Sequence, residues 1–205
     1  MDNNLAEIIG LLCAEGSYIL QYSTYMSYDR GRFRLFKNHK SERIELYNKD
    51  TNLLLHYRDL LLLEFNYKAN ITKNNKINLC NRKIIRVLIS YTQLGHLKWK
   101  VPDEVLKSEN IFLKTSFIRG YFDGDGTSSN SIRMFSTNKK GITQVAFLLN
   151  QLNIKNTLQK PIIKENRKPI FTLQVSRKAK ERFLNLINPI SKLPGNARVN
   201  NQVKI

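Results

Sequence analysis

Ile8-Ile9-Gly10-Leu11-Leu12-Cys13-Ala14-Glu15-Gly16 and Ile118-Arg119-Gly120-Tyr121-Phe122-Asp123-Gly124-Asp125-Gly126 are two copies of one pattern: apolar, any, glycine, two apolar, any, small, acid, glycine. Around the first copy Leu5, Ile8, Ile9, Leu11, Leu12 and Ala14 cover nearly every helical face, the mark of a buried helix. The spacing predicts a helix over residues 4–15, with Asn4 and Glu7 as a capping box and Gly16 as its stop. Glycine inside a helix costs roughly 1 kcal/mol against alanine. Gly10 and Gly120, with Ala14 and Gly124 one turn later, therefore predict two helix backbones pressed together. Side by side, the helices bring Glu15 and Asp125 together at C-terminal ends where the dipole is already negative. Two unpaired carboxylates repel each other there, and a divalent cation supplies the missing charge.

The surrounding chain repeats as well. Leu61-Leu62-Leu63-Glu64-Phe65-Asn66-Tyr67-Lys68-Ala69 is echoed by Leu148-Leu149-Asn150-Gln151-Leu152-Asn153-Ile154-Lys155-Asn156, Asn48-Lys49 by Asn138-Lys139, and Asn81-Arg82-Lys83 by Ser176-Arg177-Lys178. The order is kept while the offset drifts, as in a duplicated domain with loop insertions. After the first helix come strand-like runs over 17–27 and 32–47 joined through Asp29-Arg30-Gly31. A helix over 51–66, a short hairpin (69–73 and 76–80) about Asn74-Asn75 and a closing helix over 82–94 follow. Val101-Pro102-Asp103 breaks the chain and opens a linker, 101–109. The second round has a helix ending at Asp125, strands near 127–136, a helix near 139–152, strands near 157–164 and 169–175, and a helix at 177–187. The fold class is α+β: two pseudo-symmetric αββαββα halves, 1–100 and 110–205, each with a four-stranded, mainly antiparallel sheet.

Composition narrows the partner. The 205 residues carry 34 Lys and Arg against 16 Asp and Glu, a formal charge of +18, which points to a polyanion. After Asp125 only Glu165 and Glu181 are acidic. A hydrophobic content of 41% excludes a disordered basic tail. Two cysteines, Cys13 and Cys80, exclude a disulfide framework or a four-ligand zinc site. With no signal peptide or membrane-spanning run, the expected place is intracellular: an archaeal or bacterial cytoplasm, or an organelle. An intein-embedded copy is not expected, because the chain opens at Met1 without a nucleophilic Cys or Ser. His39, His56 and His96 are scattered and are assigned no role.

Both motifs, the element order and the paired Asn-Lys steps make the chain resemble the single-chain LAGLIDADG homing endonucleases over nearly its whole length. The resemblance implies a monomeric, site-specific double-strand DNA endonuclease. Metal-dependent phosphodiester hydrolysis at a long site would leave short 3′ overhangs, with Mg²⁺ as cofactor and Mn²⁺ as substitute. It places Glu15 and Asp125, with the neighbouring Ala14 and Gly124, at the metal position, and Gly10 and Gly120 in the helix interface. Polar and basic candidates that order water and offset charge are Asn48, Asn138, Lys98 or Lys100, and Lys192. Cys13 stands where the family often has an aspartate, as at Asp123; that position is not the metal ligand, so the change is not read as inactivating. Each sheet would saddle the major groove, with Tyr25, Arg32, Arg34, Lys37, Lys49, Lys76 and Asn78 as DNA contacts in the first half. Arg133, Lys139, Lys160, Lys164, Thr172 and Gln174 take that place in the second, and a one-residue slip in register would turn any of these rows away. The alternative on the same fold is an intron RNA maturase or a non-cleaving DNA-binding regulator. The presence of both acids weighs against it, and no appended helix-turn-helix is found.

Overall fold

In a computed structural model, which describes residues 1–95 and 97–192, the chain runs α1 (Asn3–Glu15), β1 (Gly16–Asp29), β2 (Arg32–Tyr47), α2 (Thr51–Phe65), β3 (Lys76–Leu79), α3 (Arg82–Tyr91), α4 (Asp103–Lys107), α5 (Ile111–Asp125), β4 (Gly126–Thr127), β5 (Arg133–Ser136), α6 (Lys139–Gln151), β6 (Asn156–Leu158), β7 (Phe171–Val175) and α7 (Lys180–Ile187). Residues 193–205 and His96 lie outside the described residues. No described helix is long and apolar enough to cross a membrane.

Helices α1 and α5 lie against each other at the centre. A Cβ placed on Gly10 would stand 2.9 Å from the Tyr121 nitrogen, and one on Gly120 would stand 2.9 Å from the Leu11 nitrogen. Equal distances about two glycines are the imprint of a local twofold axis. The core is continuous across it, running from Leu5, Ile8, Ile9 and Leu12 to Phe117, Ile118 and Phe122 and on to the inner faces of both sheets. The N-cap of α1 is Asp2, whose carboxylate accepts from the Leu5 N–H at 2.9 Å. The expected capping box fails because Glu7 is buried and pairs with His56 (2.6 Å) and Arg119 (2.9 Å) instead.

Two antiparallel sheets form, as expected, in the orders β1-β2-β3 and β4-β5-β7-β6. The first has three strands rather than four, because the run expected at 69–73 makes only an isolated bridge from Ile71 to Ile77. Thr72 takes the Lys76 N–H with its own hydroxyl at 3.2 Å, closing a tight turn through Asn75 (φ 55°) and leaving no ladder to extend. In the second sheet the strand expected over 157–164 stops at Leu158, close to Pro161, which has no N–H for the ladder. Beyond it only Ile162 bridges to Ile170. Helix α3 ends at Tyr91 rather than at 94, since Thr92 turns away to bind Lys100.

Residues 101–109 are built into the body. Trp99, Val101 and Val105 are buried, Trp99 packs tilted against Tyr121 with ring centroids 4.9 Å apart, and the Val101 N–H donates to the Gln144 side chain at 3.0 Å. Helix α4 lies within this stretch, with Asp103 and Glu104 complementing its N-terminal dipole.

Candidate functional site

The helix pair delivers its two acids to one place. A Cβ on Gly124 would lie 3.2 Å from the Glu15 Cγ and closer still to the Ala14 Cβ, so Ala14, Glu15 and Gly124 meet across the twofold with Asp125 beside them. Both carboxylates are half-buried. Burial pushes Asp125 up to about 7 and the charge of Glu15 adds to the rise, while Lys192 opposes it. Glu15 is likewise raised by burial and relieved by Lys192. This is a pair held at a cost, short of positive charge. Its donors are all oxygen, and among the described residues no cluster of three His, Cys, Asp or Glu could hold a metal unaided. That set suits a hard cation such as Mg²⁺, which takes one or two carboxylates and fills its remaining positions with water and phosphate oxygen.

The two asparagines part company. Asn48 is buried and donates to Glu15 at 3.2 Å, while its oxygen accepts from the Asp50 N–H at 2.9 Å. Asn138 is no partner of the acids: its oxygen caps α6 through the Gly141 N–H (3.0 Å) and its amide donates to the Trp99 carbonyl (2.6 Å). In the first half Asp50 does the capping, which frees Asn48. Of the candidate lysines, Lys192 is the one whose charge acts on both acids. Lys98 and Lys100 are exposed on either side of buried Trp99.

Comparison with known proteins bears on the fold. A LAGLIDADG-like domain model matches residues 113–188. The structure superposes on the homing endonuclease I-DmoI in complex with DNA and Mn with a TM-score of 0.63 at 19% identity, covering 90% of this chain and 96% of that one. The chain carries the LAGLIDADG fold twice. A structure of the N-terminal LAGLIDADG domain of DUF199/WhiA superposes with a TM-score of 0.54 at 14% identity, covering 92% of this chain and 83% of that one. A DNA polymerase of Methanocaldococcus jannaschii is 26% identical over 160 residues, 73% of this chain, and the chain spans 9% of that relative's length.

Each LAGLIDADG sheet has an inner face on the helices and an open one. Ile44, Leu46, Ile77 and Leu79 point inward, so Arg43, Glu45, Tyr47, Lys76 and Asn78 share the open face. Lys76 (3.3 Å) and Arg43 (2.7 Å) both pair with Glu45 there. A bulge between Ser23 and Tyr25, with Asn38 at φ 52°, keeps the outer hairpin in phase. Tyr25, stacked on Phe36 and edge-on to His39, therefore continues the open face with Arg34 and Arg32. Lys37 falls inside the bulge and leaves that row, and Lys49 is exposed beside Asn48. In the second sheet Met134 and Leu173 face the core, so Arg133 and Gln174 face out, Gln174 bonded to Gln159. Thr172 shares their row but is 3% exposed, too deep for a surface contact. Lys160 and Lys164 are exposed in the loop after β6, not on a strand, and Lys139 is exposed in the first turn of α6. Arg43, Gln159 and Phe36 were missed, though strand alternation counted from Ile44 would have found Arg43. Asn78 Oδ1 and Arg133 Nε, one on each open face, are buried without a hydrogen-bond partner, capacity that a ligand would fill.

Proposed function

We propose that the chain is a monomeric, site-specific DNA endonuclease that uses Mg²⁺, with Mn²⁺ able to substitute, to hydrolyse one phosphodiester in each strand and leave short 3′ overhangs. The observation that carries the reading is the Glu15–Asp125 pair, one acid from each half, set side by side at the helix ends from which β1 and β4 leave. Structures of I-DmoI with DNA and Mn, and with DNA and Ca, support divalent-metal chemistry on DNA for this layout. Glu15 and Asp125 would hold the cation, which supplies a lowered water pKa and charge stabilisation at the phosphate. Asn48 orients Glu15, and Lys192 offsets negative charge that grows at the phosphoryl group. The open faces supply phosphate contacts through Arg32 and Lys49, and base-edge contacts through Arg133, Asn78 and Gln174.

The test is a library of long randomised duplexes incubated with protein in Mg²⁺ or EDTA and sequenced for new ends. Recurrent ends with 3′ overhangs are expected in Mg²⁺, and Glu15→Gln with Asp125→Asn removes them while binding survives. Ends that persist in the double mutant sink the assignment. Salt-sensitive DNA binding with no ends in any metal supports a non-cleaving binder, and intron RNA then becomes the ligand to test.

A further inference from the structure

Asp123, two residues before the second acid, is 1% exposed and binds the chain that follows α7. It accepts from three successive backbone N–H groups: Ile190 at 3.0 Å, Ser191 at 3.0 Å and Lys192 at 3.4 Å. The Ser191 hydroxyl adds contacts to the Asp123 carbonyl (3.2 Å) and carboxylate (3.4 Å). From the other side of the motif, the Ser128 hydroxyl donates to the Lys192 carbonyl. Groups on both flanks of Asp125 thus grip the main chain of Lys192 and hold it at the C-terminal end of α5.

The first half has the same circuit in different chemistry. Cys13 occupies the position of Asp123 and is buried within hydrogen-bonding reach of the Thr92 hydroxyl. The Thr92 hydroxyl in turn accepts from the Lys100 N–H at 3.0 Å and donates to the Lys100 carbonyl at 2.9 Å. Motif side chain, loop after the closing helix, lysine: the path is the same in each half. One runs through a carboxylate, whose hydrogen bonds are about twice as strong as neutral ones. The other runs through a thiol.

We propose that Asp123 is a positioning residue that sets Lys192 over the carboxylate pair, and that Lys100 is the counterpart of Lys192, held by the weaker Cys13–Thr92 relay. The latch is a property of the chain alone; its catalytic consequence rests on the nuclease reading. Two readouts keep them apart. Lysines of the metal-free, DNA-free protein are labelled with limiting acylating reagent and quantified by mass spectrometry. Asp123→Asn, and separately Ser128→Ala with Ser191→Ala, raise Lys192 labelling by about tenfold and leave Lys98 unchanged, because local opening frees only the latched segment. On cleaved DNA, Asp123→Asn lowers the single-turnover rate by about tenfold with affinity held within about twofold, a split that a general loss of structure would not give. Wild-type Lys192 labelling in a folded Asp123→Asn variant overturns the proposal. If that variant does not fold, the same result in the double serine variant does so. If the wild-type protein cuts no duplex at all, the nuclease reading fails and the labelling still decides the latch.

Discussion

At the residue scale, the site sets two costs against each other. Asp125 titrates near 7 in the fold against an ordinary 3.8, because burial and Glu15 oppose its charge. Its carboxyl group therefore contributes stability below about pH 4, and that contribution is lost as the pH rises through 7, where the folded state must ionise it. The metal-free protein is expected to weaken between pH 4 and pH 8. Asp125→Asn flattens that slope and is more stable than wild type at pH 8 by on the order of 2 kcal/mol. Mg²⁺ restores the wild type and not the variant. Urea titrations at several pH values check this, and an equal slope in both proteins refutes it. Glycine gives a second contrast. Gly10→Ala must displace backbone at Tyr121 and costs about 2–3 kcal/mol. Gly31→Ala, at φ 81° in open space, costs only about 1 kcal/mol. Equal midpoints for the two in thermal melts argue against the close helix contact. Glu15 and Asp125 were legible in the sequence because a helical glycine has a cost that packing must repay. The fate of Asn138 was not, since it turns on whether Asn or a later Asp caps the next helix, and both stand in the sequence.

At the element scale, strands β1 and β2 show what alternation reveals and what it hides. Their aromatic and β-branched residues announced two long strands, and Arg30-Gly31, both at positive φ, closes them as a hairpin turn. Alternation is readable from Ser41 to Tyr47, where helices cover one face. Farther out neither face is covered: Leu20, Tyr22, Met26, Tyr28, Phe33 and Leu35 are exposed on the side away from Tyr25 and Arg34. The bulge that keeps the two sides in phase depends on Asn38 at positive φ and left no mark beyond an ordinary asparagine. On the covered part of the hairpin, Glu45 is the one acid on the open face, held below the usual carboxylate range by Arg43 and then Lys76. It neutralises cations that would otherwise meet phosphate. Glu45→Gln is expected to tighten binding to random duplex and to steepen log K against log salt by about 1. Fluorescence anisotropy at several salt concentrations measures both, and weaker binding would show that Glu45 instead orders its two partners for contact.

At the scale of the whole molecule, the two halves are alike enough to share a fold and different enough to need each other. Helix α1 is buried on every face from Leu5 to Cys13, so a separated first half would leave the stripe that meets α5 exposed to water. The obvious remedy, pairing with a second copy of itself, is closed by one buried charge. By motif position Arg119 corresponds to Ile9 and Glu7 to Phe117. Two first halves would thus set Glu7 against Ile9 and leave it only His56 of its own half, and two second halves would set Arg119 against Phe117 with no carboxylate to meet, a loss of about 3–5 kcal/mol for each buried ion parted from its partner. Only the mixed pair lets Glu7 meet Arg119 at 2.9 Å with His56 beside it at 2.6 Å. Residues 1–98 and 99–205, expressed separately, are therefore expected to aggregate or associate weakly alone. Mixed in equal amounts, they should form a 1:1 complex in native mass spectrometry. Replacing Glu7 and Arg119 together by Leu removes that discrimination and lets like halves pair as readily as unlike ones. Homodimers as abundant as the mixed species in the unmodified halves would mean that the glycine contact alone, and not the ion pair, joins the two motifs.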